Sequence, residues 1–262
     1  SWDSLAQAGS QAVNTVQDVA VTPDGRLWAA TQGGLTMYDG SGWALFTTVD
    51  GLANDDVRQI TANADGSVWL GYGGQGLGLT QVELNNGLPL LTAVSPPNEQ
   101  IFAILPTAGD LWLGSSDGLL RRAGSGDWQT ITPPSDIPSH EIVNLVIASG
   151  QPWLATPAGV GRFNGTGWEM VDGLPGTAVS SLNLDNNGRP WITFGSVGQG
   201  AARYDFAGDS WQPVRCPVSG PASPYVRHIV QTSDGLLWFA TEAGLAMFEG
   251  RSQTWNLLTT DD

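Results

Sequence analysis

The sequence predicts an all-β fold built from six copies of one four-stranded unit. In each copy, short apolar runs alternate with turn signals such as Asp24-Gly25 and Gly33-Gly34, which is typical of antiparallel hairpins. No segment keeps a helical period over three turns, and 35 Gly and 16 Pro interrupt the candidates. A period of about forty residues with four strands is that of a propeller blade, so we expect a six-bladed β-propeller with four antiparallel strands per blade. The period is read from one Trp in the second run of every copy, at spacings of 41, 43, 41, 38 and 47 residues: Trp28, Trp69, Trp112, Trp153, Trp191 and Trp238.

Each predicted blade begins at an apolar residue of its first strand and ends after a fourth strand, which usually carries a Trp. Residues 1–9 resemble the fourth-strand segment 43–46, which predicts an extra N-terminal strand. This strand either pairs at the edge of the last blade or belongs to a longer array. We expect a single domain over residues 1–262, with blades at 16–48, 57–91, 101–131, 142–170, 179–214 and 226–258.

The first strand of every blade carries two apolar residues three positions apart. This spacing predicts that the two side chains point to opposite faces of the strand, as suits an innermost strand buried between neighbouring blades. We also expect the second-strand Trp to pack between blades. The pairs are Val16/Val19, Val57/Ile60, Ile101/Ile104, Ile142/Leu145, Val179/Leu182 and Val226/Ile229.

The chain carries a net charge of −15, from 25 acidic residues and 10 Arg. Such a field repels nucleic acid and anionic membrane surfaces, so we expect neither nucleic-acid binding nor direct membrane insertion. The simplest role of this charge is solubility. The one cysteine, Cys216, excludes an intramolecular disulfide, which fits a cytosolic protein or a bacterial secreted one. No signal peptide is visible and the chain begins at Ser1, so we expect a mature or excised fragment.

Two segments, residues 50–57 and 172–179, begin with Asp-Gly-Leu and are each followed by a first strand, an Asp-Gly or Asn-Gly turn, and Trp. Residues 234–245 carry the turn and the Trp and read Asp-Gly-Leu-Leu-Trp-Phe-Ala-Thr-Glu-Ala-Gly-Leu. This pattern resembles the two-component regulator propeller repeat, and the resemblance extends over all six blades. The resemblance implies a sensor or binding module of a bacterial signalling protein. It also implies an extracytoplasmic location, periplasmic or secreted.

Ligands of propellers usually lie at one end of the channel, where the loops that join successive blades meet. Arg58 and Arg227 occupy the same slot there, directly after the first apolar residue of a first strand. Two guanidinium groups facing one pocket suit a carboxylate, phosphate or sugar acid, so we expect a small anionic or polyhydroxylated ligand. The alternative is that each arginine pairs with a nearby carboxylate, for example Asp56. The predicted ligand-binding residues are Arg58, Arg227, His228, Asp56, Gln100, Glu141, Tyr225 and Glu242.

The last blade also resembles the streptogramin (virginiamycin B) lyases, whose catalytic His and a later Glu are fourteen residues apart. His228 and Glu242 keep this spacing, whereas Val226 replaces the Glu that this family carries two positions before the His. The resemblance implies a metal-assisted lyase or hydrolase as an alternative function, with His228 and Glu242 as catalytic residues. The second histidine is His140, so no three-His metal site can form, and we expect no resident metal or cofactor. A third possibility is a scaffold that binds a protein partner.

Overall fold

A computed structural model describes residues 15–73, 78–85, 88–96, 100–115, 118–133, 137–176, 178–195, 200–214, 226–232, 234–241, 244–249 and 254–258. The predicted fold class is confirmed: the chain is an all-β six-bladed propeller, and each blade is a sheet of four strands that pair antiparallel in chain order. The blades form two compact units, Ser1–Ser116 with Leu120–Gln129 and Asp117–Leu119 with Thr130–Asp262. The predicted N-terminal strand at residues 1–9 lies outside the described residues. In the described ranges there is no helix with the length and apolar character needed to cross a membrane.

The first unit holds blades one and two and most of blade three. Blade one consists of β1 (Val16–Val21), β2 (Leu27–Thr31), β3 (Gly34–Tyr38) and β4 (Trp43–Phe46). Blade two consists of β5 (Val57–Ala62), β6 (Val68–Tyr72), β7 (Leu79–Asn85) and β8 (Leu88–Val94). Blade three consists of β9 (Ile101–Pro106), β10 (Asp110–Ser115), β11 (Gly118–Ala123) and β12 (Trp128–Ile131).

The second unit holds blades four to six. Blade four consists of β13 (Asn144–Ala148), β14 (Gln151–Thr156), β15 (Gly159–Phe163) and β16 (Trp168–Met170). Blade five consists of β17 (Val179–Leu184), β18 (Pro190–Phe194), β19 (Ala201–Asp205) and β20 (Ser210–Val214). Blade six consists of β21 (Val226–Gln231), β22 (Leu237–Thr241), β23 (Gly244–Glu249) and β24 (Thr254–Leu258).

A shift of register lies near the start of the first strand in blades one, two, three, five and six. In blade two, Val57 pairs with Tyr72 and Ile60 pairs with Leu70, so Arg58 is the extra residue of a β-bulge. Tyr72 and Leu70 are two positions apart in one strand and therefore share a face, and so do Val57 and Ile60. The prediction that first-strand pairs point to opposite faces is wrong for these five blades, because the bulge brings both members to one face.

Neighbouring blades within a unit pack by a single rule. We call the side of a blade that carries the second-strand Trp its forward face, and the side that carries the first-strand apolar pair its rear face. The forward face of one blade packs on the rear face of the next, as Trp28 and Leu35 of blade one pack with Val57 and Ile60 of blade two. The prediction that the second-strand Trp packs between blades is confirmed within the units for Trp28, Trp69, Trp153 and Trp191.

The turn between the first two strands of blade five is held by a buried aspartate. Asp185 is 6% exposed, and its Oδ1 accepts hydrogen bonds from the backbone N–H groups of Asn187 (2.9 Å) and Arg189 (3.0 Å). Its Oδ2 accepts bonds from Arg189 Nε (2.8 Å) and Trp191 Nε1 (3.2 Å). Burial raises the pKa of Asp185, but the hydrogen bonds from Arg189 and Trp191 outweigh it and hold the pKa below its ordinary value.

Replacing Asp185 by Asn is expected to lower the free energy of unfolding at neutral pH by about 3 kcal/mol, because a buried, paired charge is lost. Folding lowers the pKa of this carboxyl, so its stabilisation is complete above the ordinary value of 3.8 and is lost as the pH falls through the lower folded value. Urea denaturation at a series of pH values measures this. We expect the acid loss of stability to be smaller in Asp185→Asn than in the wild type.

The matched control is Asp24→Asn in the equivalent turn of blade one, where the Asp24 side chain is 43% exposed. Asp24 accepts hydrogen bonds from Thr22 Oγ1 (2.6 Å) and from the backbone N–H of Arg26 (3.3 Å). Because water screens this site, we expect a loss of about 1 kcal/mol or less. Equal losses from the two variants would show that burial of Asp185 does not set its contribution.

Candidate functional site

The loop between blades one and two is fixed by its own side chains. Asp50 Oδ2 accepts a hydrogen bond from the backbone N–H of Thr47 at 2.8 Å. Asp55 Oδ1 accepts one from the backbone N–H of Thr48 at 2.7 Å. These bonds hold the chain that leads into β5, and with it the segment that carries two of the predicted site residues.

A buried tyrosine ties the same loop to the body of blade two. Tyr72 is 2% exposed, and its hydroxyl accepts a hydrogen bond from the backbone N–H of Ala53 at 3.2 Å and contacts Thr80 Oγ1 at 2.6 Å. Burial raises the pKa of Tyr72 above its ordinary value, so the side chain stays a neutral phenol. The loop is therefore anchored before any ligand arrives, as a binding site requires.

Asp56 and Arg58 form an ion pair at the end of this loop. Arg58 Nε lies 2.9 Å from Asp56 Oδ1 and 3.0 Å from Oδ2, and Arg58 Nη2 lies 2.9 Å from Oδ2. The side chains of Arg58 and Asp56 are 45% and 34% exposed. The hydrogen bond with Asp56 raises the pKa of Arg58 further above neutrality. The structure therefore shows the alternative in which Arg58 pairs with the nearby carboxylate of Asp56.

A glycine makes room for this ion pair. The backbone N–H of Gly73 donates a hydrogen bond to the carbonyl of Asp56 at 3.1 Å. A Cβ at Gly73 would overlap Asp56 Oδ2 and would lie 2.7 Å from Arg58 Nε. The pair therefore lies flat against the backbone that follows β6. The sequence alone did not indicate this role of Gly73, and the signal that could have revealed it is the Tyr-Gly-Gly run that begins at the last residue of β6.

The ion pair exposes both donors and acceptors to solvent. Its internal bonds use Nε and Nη2 of Arg58, which leaves Nη1, in the described part of the chain, without a protein acceptor. The Asp56 oxygens retain lone pairs. The pair places a donor, Arg58 Nη1, beside an acceptor, the Asp56 carboxylate, in one plane, and its summed charge is close to zero. It therefore suits the adjacent hydroxyl groups of a polyol better than it suits a free anion.

The other predicted site residues are only partly described. Gln100 is half-buried directly before β9 in the first unit. Glu141 is exposed before blade four in the second unit, and its backbone N–H donates to Ser139 Oγ at 3.4 Å. Arg227 and His228 lie in β21, where the register pairs His228 with Ala240, but nothing is described of their side chains. Tyr225 and Glu242 lie outside the described residues, so the convergence of this set, and the lyase alternative with it, remains a prediction.

A second polar cleft lies between the turns of blades one and two, with a volume of about 530 Å³. No sequence motif marks it. Its carboxylates already have partners: Asp65 Oδ1 accepts a hydrogen bond from Ser67 Oγ at 2.6 Å, and Asp24 pairs with Arg26. Across the described ranges, no three His, Cys, Asp or Glu side chains come together as metal ligands would. The cleft is lined by Asp24, Arg26, Asp65, Gly66, Ser67, Glu83 and Leu84.

Comparison with known families supports the resemblance found in the sequence. The family model of the two component regulator propeller matches residues 220–243, which lead into and include the first two strands of blade six. The resemblance to this repeat is therefore confirmed for that segment. A search of curated proteins finds no match to the chain.

Solved structures share the fold at low sequence identity. The extracellular domain of a hybrid two component system from B. thetaiotaomicron has a TM-score of 0.71 and 18% identity, over 91% of this chain and 34% of that one. Virginiamycin B lyase from Staphylococcus aureus has a TM-score of 0.70 and 14% identity, over 95% of this chain and 85% of that one. PorZ, a bacterial surface component of the type-IX secretion system of Porphyromonas gingivalis, has a TM-score of 0.68 and 19% identity, over 95% of this chain and 42% of that one.

These similarities establish the propeller fold, which is compatible with many functions. The chain spans about a third of the length of the two component extracellular domain that it matches. The ligands and partners of those longer proteins are properties of those proteins and are not assigned to this chain.

Proposed function

We propose that this chain is a non-catalytic, extracytoplasmic sensor propeller that binds a polyhydroxylated ligand at the Asp56–Arg58 pair. The observation that carries the proposal is the geometry of this pair, which is exposed, bidentate and pressed against Gly73 on a loop fixed by hydrogen bonds. A site that is formed in advance loses less conformational entropy when the ligand binds. The location and the sensor role are supported by the family match and by the extracellular two component domain among the similar structures.

The pairing of Arg58 favours a neutral sugar over a free anion. Asp56 offsets the charge of Arg58, and the chain as a whole carries −15, so a carboxylate or phosphate would approach an unfavourable field. Neighbouring hydroxyl groups of a sugar can accept from Arg58 Nη1 and donate to Asp56. A sugar acid would still bind through its hydroxyl groups, but its affinity would fall at low salt, where repulsion is least screened.

Replacing Arg58 by Ala is expected to weaken the binding of a neutral oligosaccharide at least tenfold, because it removes both the donor and the partner that orients Asp56. The measurement is isothermal titration calorimetry. A thermal-shift screen first selects the probe from a panel of neutral oligosaccharides and their uronic acid counterparts. Fold integrity is checked by circular dichroism.

The matched control is Arg26→Ala, because Arg26 and Asp24 also form an ion pair two residues apart, at the opposite turn of the same unit. We expect Arg26→Ala to leave the affinity unchanged. The proposed site is refuted if the two variants weaken binding equally, or if Arg58→Ala binds the selected oligosaccharide as tightly as the wild type. If only the uronic acids of the panel bind, the ligand belongs to the anionic class and not to the neutral sugars.

A further inference from the structure

The turn between the third and fourth strands of blade five carries an exposed aromatic side chain. The two aromatic residues that close this hairpin, Tyr204 and Trp211, enclose residues 205–210. The hairpins of blades one and four enclose only Asp-Gly-Ser-Gly and Asn-Gly-Thr-Gly between the equivalent pairs, so the turn of blade five is two residues longer. The longer turn contains Phe206, which is 39% exposed. The repeat itself does not require this aromatic residue, since the shorter turns form without one.

Phe206 is held in place by the core beneath it. Its ring centroid lies 5.3 Å from that of Tyr204 and 6.0 Å from that of Trp153, in edge-on contacts. Tyr204 and Trp153 are each 0% exposed, so part of Phe206 contacts the core of the second unit and the remainder meets solvent. A ring that is fixed in this way loses little conformational entropy when a partner binds to it.

Asp209 ends the same turn in a backbone conformation that favours glycine. Its φ is +45°, whereas the positive φ angles in the equivalent turns of blades one, three and four belong to glycines. Two hydrogen bonds to Asp209 Oδ1 offset the strain, one from Arg162 Nη1 at 2.8 Å and one from the hydroxyl of Tyr204. The Asp209 side chain is nevertheless 69% exposed, and in the described part of the chain its Oδ2 accepts no hydrogen bond. Because Asp209 and Phe206 both contact Tyr204, the turn presents a fixed carboxylate oxygen near the exposed ring.

Carboxylates outnumber guanidinium groups around this ring. Arg162 pairs with Asp209 at 2.8 Å and with Glu169 at 3.5 Å, and Asp205 begins the turn. The hydrogen bonds from Tyr204 and Arg162 hold the pKa of Asp209 below its ordinary value, so this carboxyl is charged at neutral pH. The net charge of −15 adds to the local negative field. An aromatic ring in a negative surface suits a cation, because the face of the ring is itself electron-rich.

We propose that this turn of blade five binds a lysine or arginine side chain from a basic segment of a partner protein. The cation lies over the ring of Phe206 and donates to Asp209 Oδ2, while its methylene groups cover the apolar edge of the ring. The field of the chain attracts such a segment, and the fixed turn selects where it binds. A neutral sugar would gain nothing from the surplus of negative charge. Every residue of this surface belongs to blades four and five of the second unit.

Titration of the full chain with a tetra-arginine peptide, followed by amide NMR, tests the proposal, and a tetra-serine peptide is the neutral comparison. We expect the shifts to concentrate at residues 162–169 and 204–210, and the affinity to fall as salt is added. Phe206→Ala should weaken binding about fivefold, because the ring and its apolar contact are lost. Phe206→Leu keeps much of the packing on Trp153 but has no aromatic face, so it should also weaken binding. It replaces Phe206→Ala if circular dichroism shows that the alanine variant does not fold.

Two matched variants separate binding at this turn from general attraction to an acidic chain. Asp209→Asn and Asp39→Asn each remove one charge from a turn between third and fourth strands, but the turn of blade one, residues 39–42, has no aromatic residue. We expect Asp209→Asn to weaken binding about threefold and Asp39→Asn to bind like the wild type. Equal affinities of these two variants, shifts spread over the whole chain, or shifts at this turn with a neutral oligosaccharide but not with the peptide would overturn the proposal. These variants leave Asp56 and Arg58 intact, so the outcome does not bear on the oligosaccharide site.

Discussion

Trp153→Ala is expected to cost the second unit about 4 kcal/mol of unfolding free energy, the range for a large aromatic side chain removed from a packed core. Trp153 is 0% exposed on the forward face of blade four. Its ring centroid lies 4.9 Å from that of Tyr204, 6.0 Å from that of Phe206 and 6.5 Å from that of Trp211, in edge-on contacts. All three belong to blade five, so the cavity would open between two blades.

Chemical denaturation followed by far-ultraviolet circular dichroism measures the loss. Because two compact units need not unfold together, hydrogen exchange should show that the destabilised amides lie in blades four and five. Trp153→Phe is expected to cost less than half as much, since the indole Nε1 of Trp153 has no hydrogen-bond partner among the described residues and the smaller ring keeps part of the contact.

Trp43→Ala provides the control for the residue type. Trp43 is half-buried on the fourth strand of blade one, where its ring lies 5.0 Å from that of Tyr38. Its contact is partly open to water, so we expect a loss of about 1 to 2 kcal/mol. A cost for Trp153→Ala no greater than that for Trp43→Ala would contradict the view that the second-strand Trp holds neighbouring blades together.

The fold was predictable because its signals are local and repeat. A turn such as Thr22 to Arg26 needs Asp24 to cap its backbone, and the same chemistry recurs in blades two, five and six. The period, the turns and the second-strand Trp recur in successive blades and each indicates the same four-stranded unit. One irregular blade therefore does not change the predicted fold.

The bulge in the first strand was not predictable from periodicity. A spacing of three between Val57 and Ile60 indicates opposite faces in a regular strand, but an extra residue at Arg58 restores a common face. Five blades share the shift of register, so the i, i+3 spacing itself marks the bulge. The error concerned which way the side chains point, and it arose because a strand period assumes an unbroken ladder.

The candidate site was predictable in position but not in chemistry. Arg58 directly follows the first apolar residue of its strand, and this position predicted that it lies at the loop end of blade two. Its pairing with Asp56 could not be predicted, because it depends on the backbone geometry at Gly73. Two carboxylates, Asp55 and Asp56, precede the strand, and the structure assigns one to the backbone of Thr48 and the other to Arg58. Sequence spacing does not distinguish between these roles.

Gly34→Ala is expected to lower the unfolding free energy of the first unit by about 4 kcal/mol, the combined cost of a strained backbone and an overpacked contact. Gly34 has a φ of +129°, and a Cβ there would overlap the carbonyl oxygen of Phe46 and lie 3.1 Å from Leu45 Cδ1. Its own carbonyl accepts a hydrogen bond from Thr31 Oγ1 at 2.8 Å. This hydrogen bond holds the turn, and pairing with β3 holds the fourth strand, so the two cannot both move away from an added methyl group. Thermal and urea denaturation measure the loss.

The same arrangement explains why the repeat keeps Thr, two residues, then Gly at the start of its third strand. Gly244 has a φ of +131°, and its carbonyl accepts a hydrogen bond from Thr241 Oγ1 at 2.8 Å. Gly40, with a φ of +94° and no atom within 4 Å of the place that a Cβ would take, separates the two costs. Gly40→Ala meets the backbone strain alone and should cost about 1 to 2 kcal/mol. If Gly34→Ala costs no more than Gly40→Ala, the close approach of the Phe46 carbonyl is not what fixes glycine at this position.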